Sequence, residues 1–213
     1  MITVLAESVL IPIGEYFMND SEEKVLETES FKISKNLVTN SDFYHFIDDA
    51  TRHQDFPIHE KLREVSHFDD FPVVNITWSV AIDFCEWMSA KTGLSITLPT
   101  ERQWERAARG FDGALYPWGD FYEPTRSPSL DAQSMSASPV GNFPEGASSF
   151  GVLDLVGNVW QWTSDKNEFG EVILKGGSWL DAAWGLRTNR SLLADPNLAT
   201  NTTGFRFVIN EGS

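Results

Sequence analysis

The chain of 213 residues contains one cysteine, Cys85, so no intramolecular disulfide can form and no all-cysteine metal site exists. No run reaches the roughly 18 consecutive apolar residues that a membrane-spanning helix needs. Basic residues are scarce: 16 Lys and Arg stand against 31 Asp and Glu, for a formal net charge of -15. Such a field repels nucleic acid and anionic membrane, excludes both as partners, and steers a cationic partner inward. It also serves solubility alone. Between Met1 and Asn19 no basic flank precedes the apolar residues, and Glu7 interrupts them. That is not a secretory pattern, and the expectation is a cytoplasmic protein. There is no internal repeat and no low-complexity tract, and Gly176-Gly177 lacks the lysine-containing pattern of a phosphate loop.

What is present is apolar and aromatic: 41% hydrophobic and 13% aromatic residues are enough to fill a sizeable core. Val9 to Phe17 reads as a strand with a turn at Gly14, and Phe31 to Val38 alternates as a half-buried strand does. Thr39-Asn40-Ser41 offers capping side chains ahead of Phe43, Phe46 and Ile47 at helical spacing. Three of the four histidines, His53, His59 and His67, lie in the polar stretch from Ala50 to Phe71, which reads as loop or short helix. Their spacing of six and eight suits no regular face of a helix or strand.

Thr77 or Ser79 caps a second helix in which Val80, Ala81, Phe84, Cys85, Trp87 and Met88 share one face, ending near Gly93. Cys85 reads there as a buried structural thiol, with no basic neighbour to lower its pKa. Thr100 and Gln103 form a capping-box pattern for a third helix running to Arg109. Glu101 and Glu105 lie one turn apart, and salt bridges to nearby arginines account for them better than acid–base chemistry does. Beyond Gly110 the chain turns to Gly, Pro, Ser, Asn and Trp, the composition of ordered loops tied by a few strands.

Several segments carry a resemblance. They are Ile11-Pro12-Ile13-Gly14-Glu15-Tyr16-Phe17-Met18; Pro72-Val73-Val74-Asn75-Ile76-Thr77-Trp78; Leu98-Pro99-Thr100-Glu101-Arg102-Gln103-Trp104-Glu105; and Tyr116-Pro117-Trp118-Gly119. Further on come Asp154-Leu155-Val156-Gly157-Asn158-Val159-Trp160-Gln161-Trp162, Lys175-Gly176-Gly177-Ser178-Trp179 and Gly204-Phe205-Arg206. In this order and at these separations the chain resembles the formylglycine-generating-enzyme, or sulfatase-modifying-factor, family along nearly its whole length. The resemblance implies a single α+β domain over residues 1–213. Its fold would be an irregular, loop-rich variant of the C-type lectin fold with two main helices and short antiparallel strands. Arg102, Arg190 and Arg206 match family arginines that knit loops together.

The resemblance also sets a test that the chain does not meet. The family's enzymes oxidise a substrate cysteine with copper(I), a soft ion held by two thiolates between Gly-Gly-Ser and Gly-Phe-Arg. Here that segment, Trp179 to Thr203, holds no cysteine, histidine or methionine. No copper is expected, and no catalytic residue is assigned. A second branch places three histidines on iron in a preceding helical domain, and no such domain is found here.

Calcium is a further expectation. By resemblance it would be held by the Asp154 side chain, the carbonyls of Gly157 and Val159, and position 161. Gln161 supplies no charge there, which should weaken binding. The loop-rich half is then left as a display surface. Trp179, Leu180, Asp181, Trp184, Leu186 and Arg187 are the candidate partner-binding residues, because aromatic and arginine side chains anchor interfaces; Trp184 could instead fill the vacated pocket.

The resulting expectation is a non-catalytic binding module. Its specific form is an immunity protein that neutralises a basic toxin delivered by type VI secretion, a role held by family members without the thiols. Two alternatives stay open: a retroelement-diversified ligand-display protein of the same fold, and an oxidoreductase or modifying enzyme with an unrecognised metal site.

Overall fold

The computed structural model describes residues 7–18, 24–27, 29–53 and 69–210. Three helices form where side chains can close their first turns. In α1 (Asn40–His53), Asp42 N–H donates to Thr39 Oγ1 at 3.1 Å and Thr39 N–H donates back to Asp42 Oδ2 at 3.0 Å. In α2 (Trp78–Thr92), Thr77 is the N-cap, and Gly93 ends the helix in the left-handed region at φ 72°, its N–H donating to Ser89 O. In α3 (Glu101–Arg109) the capping box of Thr100 and Gln103 is complete. Two main helices were expected, but α1 is 14 residues long against 15 for α2.

The strands fall into two four-stranded sheets and a hairpin. In the first sheet, β1 (Ser8–Ile11), β4 (Phe31–Ser34), β10 (Val208–Asn210) and β5 (Ser95–Thr97) lie side by side, all antiparallel. The second is ordered β8 (Ser191–Ala194), β7 (Val172–Lys175), β6 (Trp160–Lys166), β9 (Thr203–Gly204); its strands are short and antiparallel as expected, apart from the parallel β6–β9 pair. The hairpin joins β2 (Gly14–Phe17) and β3 (Lys24–Glu27). The stretch expected as one strand from Val9 to Phe17 is therefore two. Pro12 has no N–H to continue a ladder, and the halves enter different sheets. The strand expected to reach Val38 stops at Ser34, yet Leu37 and Val38 remain buried, and Val38 N–H donates to Phe205 O. His53 lies at the end of α1, while His59 and His67 fall outside the described residues.

Two apolar cores result. One lies between α1, α2 and the second sheet, where Phe84 makes ring contacts with Phe43, Phe46, Trp87 and Phe205. The other gathers Trp104, Ala107 and Ala108 of α3 with Ile11, Ile33, Leu155 and Leu186. Between Gly110 and Trp160 the chain forms no strand and only two short 3₁₀ turns, as its composition leads one to expect. Among the described residues no helix is long and apolar enough to cross a membrane.

Because Phe84 touches four aromatic rings and is fully buried, Phe84→Ala should lower unfolding free energy by about 3–5 kcal/mol. Urea denaturation measures this, and a loss below about 1 kcal/mol would mean that the core collapses around the cavity.

Candidate binding surface around Trp184

The loop-rich half is organised by one buried cation. Arg206 is wholly inaccessible, and its Nε donates to Gln161 Oε1 at 2.7 Å. Its Nη1 donates to Ser34 O at 2.9 Å, and its Nη2 to Leu153 O at 2.7 Å and Asp154 O at 2.9 Å. Burial brings its pKa down to about 10, opposed by the nearby Asp154 charge. Gln161 Oε1 also accepts from Trp104 Nε1 at 2.8 Å, while Gln161 Nε2 donates to Asp154 O and Leu155 O, each at 3.0 Å. First sheet, α3 and the Asp154–Trp162 segment are thus tied at one point. Trp162 is fully buried and Trp160 partly buried against the same core.

The calcium expectation falls on this same segment. The Asp154 carboxylate accepts from Gly141 N–H at 2.7 Å and from Asn158 Nδ2 at 3.3 Å, and burial raises its pKa against the pull of those donors and of Arg206. Gln161 turns its oxygen to two protein donors and its amide N–H groups toward main-chain carbonyls. Both side chains are engaged by protein groups and the Arg206 guanidinium lies beside them, so an ion bound there would have to displace these contacts. Gly157 N–H donates to Gly176 O at 2.9 Å.

Residues weighed for chemistry are also occupied. Ser178 is buried, and its hydroxyl donates to Asp181 Oδ2 at 2.7 Å. Glu105 pairs with Arg109 at 2.9 Å in a buried i,i+4 bridge, and Glu101 lies 3.4 Å from Lys175 Nζ. Burial lowers the Lys175 pKa, with the neighbouring Glu105 and Glu101 opposing. Cys85 is buried on α2, and burial pushes its thiol pKa up. Among the described residues no group of three or more His, Cys, Asp or Glu side chains is placed to hold a metal.

The surface lies above this frame. Gly176 and Gly177 take positive φ, and a Cβ on Gly177 would come 2.5 Å from Leu186 Cδ2, so the loop seats closely only because glycine is there. Asp181 Oδ2 accepts Ser178 N–H at 2.8 Å, and Asp131 Oδ2 accepts Ala183 N–H at 2.7 Å. Tyr116 OH donates to Ala183 O at 3.1 Å. On the 3₁₀ turn Ala183–Leu186, Trp184 is 62% exposed, with the Arg190 guanidinium 4.9 Å from its ring centroid.

Of the six residues expected to meet a partner, Leu180, Trp184 and Arg187 are exposed, and Trp179 and Asp181 are partly so. Leu186 is corrected: it is fully buried in the second core and holds the loop down. Trp184 fills no pocket. Arg190 was expected to knit loops together, but its side chain is exposed and lies over Trp184. Sequence reasoning missed Leu130 and Met135, 54% and 88% exposed, on the segment whose Leu130 N–H donates to Asp181 O. Nothing in their linear spacing signals that proximity. A group of carboxylates lies elsewhere. A cavity of about 980 Å³ beside α1 and α2 is lined by Asp42, Asp48, Asp49, Asp69 and Asp70, and shares no residue with the Trp184 surface.

Two measurements follow. Thiol titration with a chromogenic disulfide should find no reactive group in the native protein and one after unfolding; reaction at the native rate of a free thiol would show Cys85 to be accessible. Calcium at 100 times a dissociation constant would add about 2.7 kcal/mol of stability, so an unchanged Tm in millimolar calcium against chelator is expected, and a clear rise would establish the site.

The model of the sulfatase-modifying factor enzyme 1-like domain matches residues 3–211. The inactive C-alpha-formylglycine-generating enzyme 2 of Bos taurus is 35% identical over 162 residues, covering 67% of this chain and 52% of that protein. The chain spans about half the length of this relative and its mouse counterpart. Among solved structures, PvdO from Pseudomonas aeruginosa superposes with a TM-score of 0.80 at 19% identity, covering 96% of this chain and 94% of that one. The Major Tropism Determinant I1 variant does so at 0.54 and 12%, covering 91% and 55%; both likenesses show the fold. The motifs, the doubly tied Arg206 frame and the family match agree: the chain belongs to the formylglycine-generating-enzyme-like, sulfatase-modifying-factor domain family, in the family's variant of the C-type lectin fold.

Proposed function

We propose that this domain is a non-catalytic protein-binding module whose contact surface is the Trp184 loop. The observation that carries this reading is an indole left exposed on a braced loop, in the segment where the resemblance places the enzymes' thiols and where this chain has none. A large rigid aromatic contributes contact area with little entropy to lose. The bovine relative, named as inactive, supports a fold retained without the chemistry.

The specific form is an immunity protein that binds and neutralises a toxin delivered by type VI secretion. The excess of carboxylates supports it, because such a field speeds capture of a basic toxin. A second reading, retroelement-diversified ligand display, draws on the Trp179–Thr203 loop and on the fold shared with the Major Tropism Determinant. An imperfect, adenine-rich copy of that coding segment beside the gene would favour it.

Tagged protein from its native cells should co-purify with a stoichiometric partner. Trp184→Ala should weaken the pair about 30-fold or more, as loss of a hot-spot residue does, while Phe169→Ala, a change on another exposed aromatic, should leave it intact. Cells lacking the protein should be killed by siblings that secrete the toxin. Recovery of the protein alone in gentle low-salt washing, and survival of the deletion strain, would overturn the toxin reading.

A further inference from the structure

The surface around Trp184 is not acidic like the molecule as a whole. Its two carboxylates each turn one oxygen to the loop backbone: half-buried Asp181 accepts from Ser178 N–H and Oγ, and exposed Asp131 from Ala183 N–H. Its cations, Arg187 and Arg190, are exposed, and neither is in an ion pair of 4 Å or less with a described carboxylate. The Arg190 guanidinium carbon lies 4.9 Å from the Trp184 ring centroid, a cation–π contact that an exposed guanidinium makes without using up its five N–H donors. Leu180, four residues before Trp184, and Leu130, whose N–H donates to Asp181 O, are 52% and 54% exposed.

The frame beneath is fixed. Thr188 Oγ1 donates to Ala114 O at 2.7 Å, Thr188 N–H donates to Leu115 O at 2.9 Å, and Arg190 N–H donates to Arg187 O at 2.9 Å. With Leu186 pegged in the core, the backbone carrying Trp184, Arg187 and Arg190 is set before any partner arrives, which lowers the entropic cost of binding.

We infer that this tip recognises a carboxylate-bearing, apolar segment of the protein partner: an aspartate or glutamate beside a large apolar side chain. The inference rests on the binding reading above and refines it. The apolar side chain covers Trp184, Leu180 and Leu130, and the carboxylate takes the guanidinium forks, an arrangement that arginine satisfies bidentately. There is no conflict with a net basic partner, since the carboxylates lining the cavity by α1 and α2 supply the long-range field. Steering acts at a distance and is screened by salt; the contact selects at hydrogen-bond range.

The test uses fluorescein-labelled peptides of one length with a central Leu-Phe flanked by glutamate, glutamine or lysine, titrated with the full chain and followed by anisotropy. The glutamate peptide should bind at least about 10-fold more tightly than the glutamine peptide, the increment of one charge-assisted contact, and the lysine peptide most weakly. Arg187→Glu with Arg190→Glu should reverse that order, with an unchanged Tm showing the fold intact. Trp184→Ala should abolish binding of every peptide. Equal affinity for the glutamate and glutamine peptides, or no reversal in the arginine variant, overturns the inference; if Trp184→Ala still abolishes binding, the binding reading survives without it. Absence of binding by any peptide also overturns it, and the native partner's response to Trp184→Ala then judges the broader reading separately.

Discussion

The burial of one guanidinium governs this molecule. Arg206 follows β9 in sequence, yet it donates to carbonyls at residues 34, 153 and 154 and to the Gln161 side chain. Taking that charge out of water is affordable only because each donor direction meets an oxygen. Remove an acceptor and the charge is left uncompensated; remove the arginine and several carbonyls are orphaned. The loops from Gly110 to Trp160 have no sheet to order them, so the hydrogen bonds of Arg206, Gln161 and Asp154 do what a ladder does elsewhere.

Gln161 ties the frame together from both ends of one amide. An amide presents an acceptor and two donors from one group. Here the acceptor faces Trp104 and Arg206, while the donors face the Asp154 and Leu155 carbonyls. A carboxylate at that position would turn oxygen toward oxygen and call for a cation between them.

How much of this was legible depended on the range of the interaction responsible. The caps at Thr77, Thr100 and Gly93 and the apolar face bearing Cys85 are set by neighbours within a turn, and the residues announce them. The kinship of the chain was legible too, because glycine and tryptophan motifs must recur at fixed separations to build these loops. Position within a loop was not. Trp184 and Leu186 sit two residues apart on a 3₁₀ turn, where about 120° separates successive side chains, so one faces solvent and the other the core. Linear sequence offers no alternation by which to tell them apart. Leu130 reaches the surface through contacts that a segment some fifty residues earlier makes with Asp181 and Ala183, and Arg190 lies against a ring rather than in the loop bonds expected of it.

The place of β10 has a consequence for how the domain is made. This three-residue strand pairs with β4 on one side and β5 on the other, so the first sheet has its central member at residues 208–210. Until those residues are available, β4 and β5 each present an open edge, and the Arg206 frame just before them is missing as well. Most of the chain can be synthesised while neither core is closed. Closure of this domain therefore waits on its last strand, and until that strand pairs the surplus of negative charge is what holds the two open edges of neighbouring copies apart.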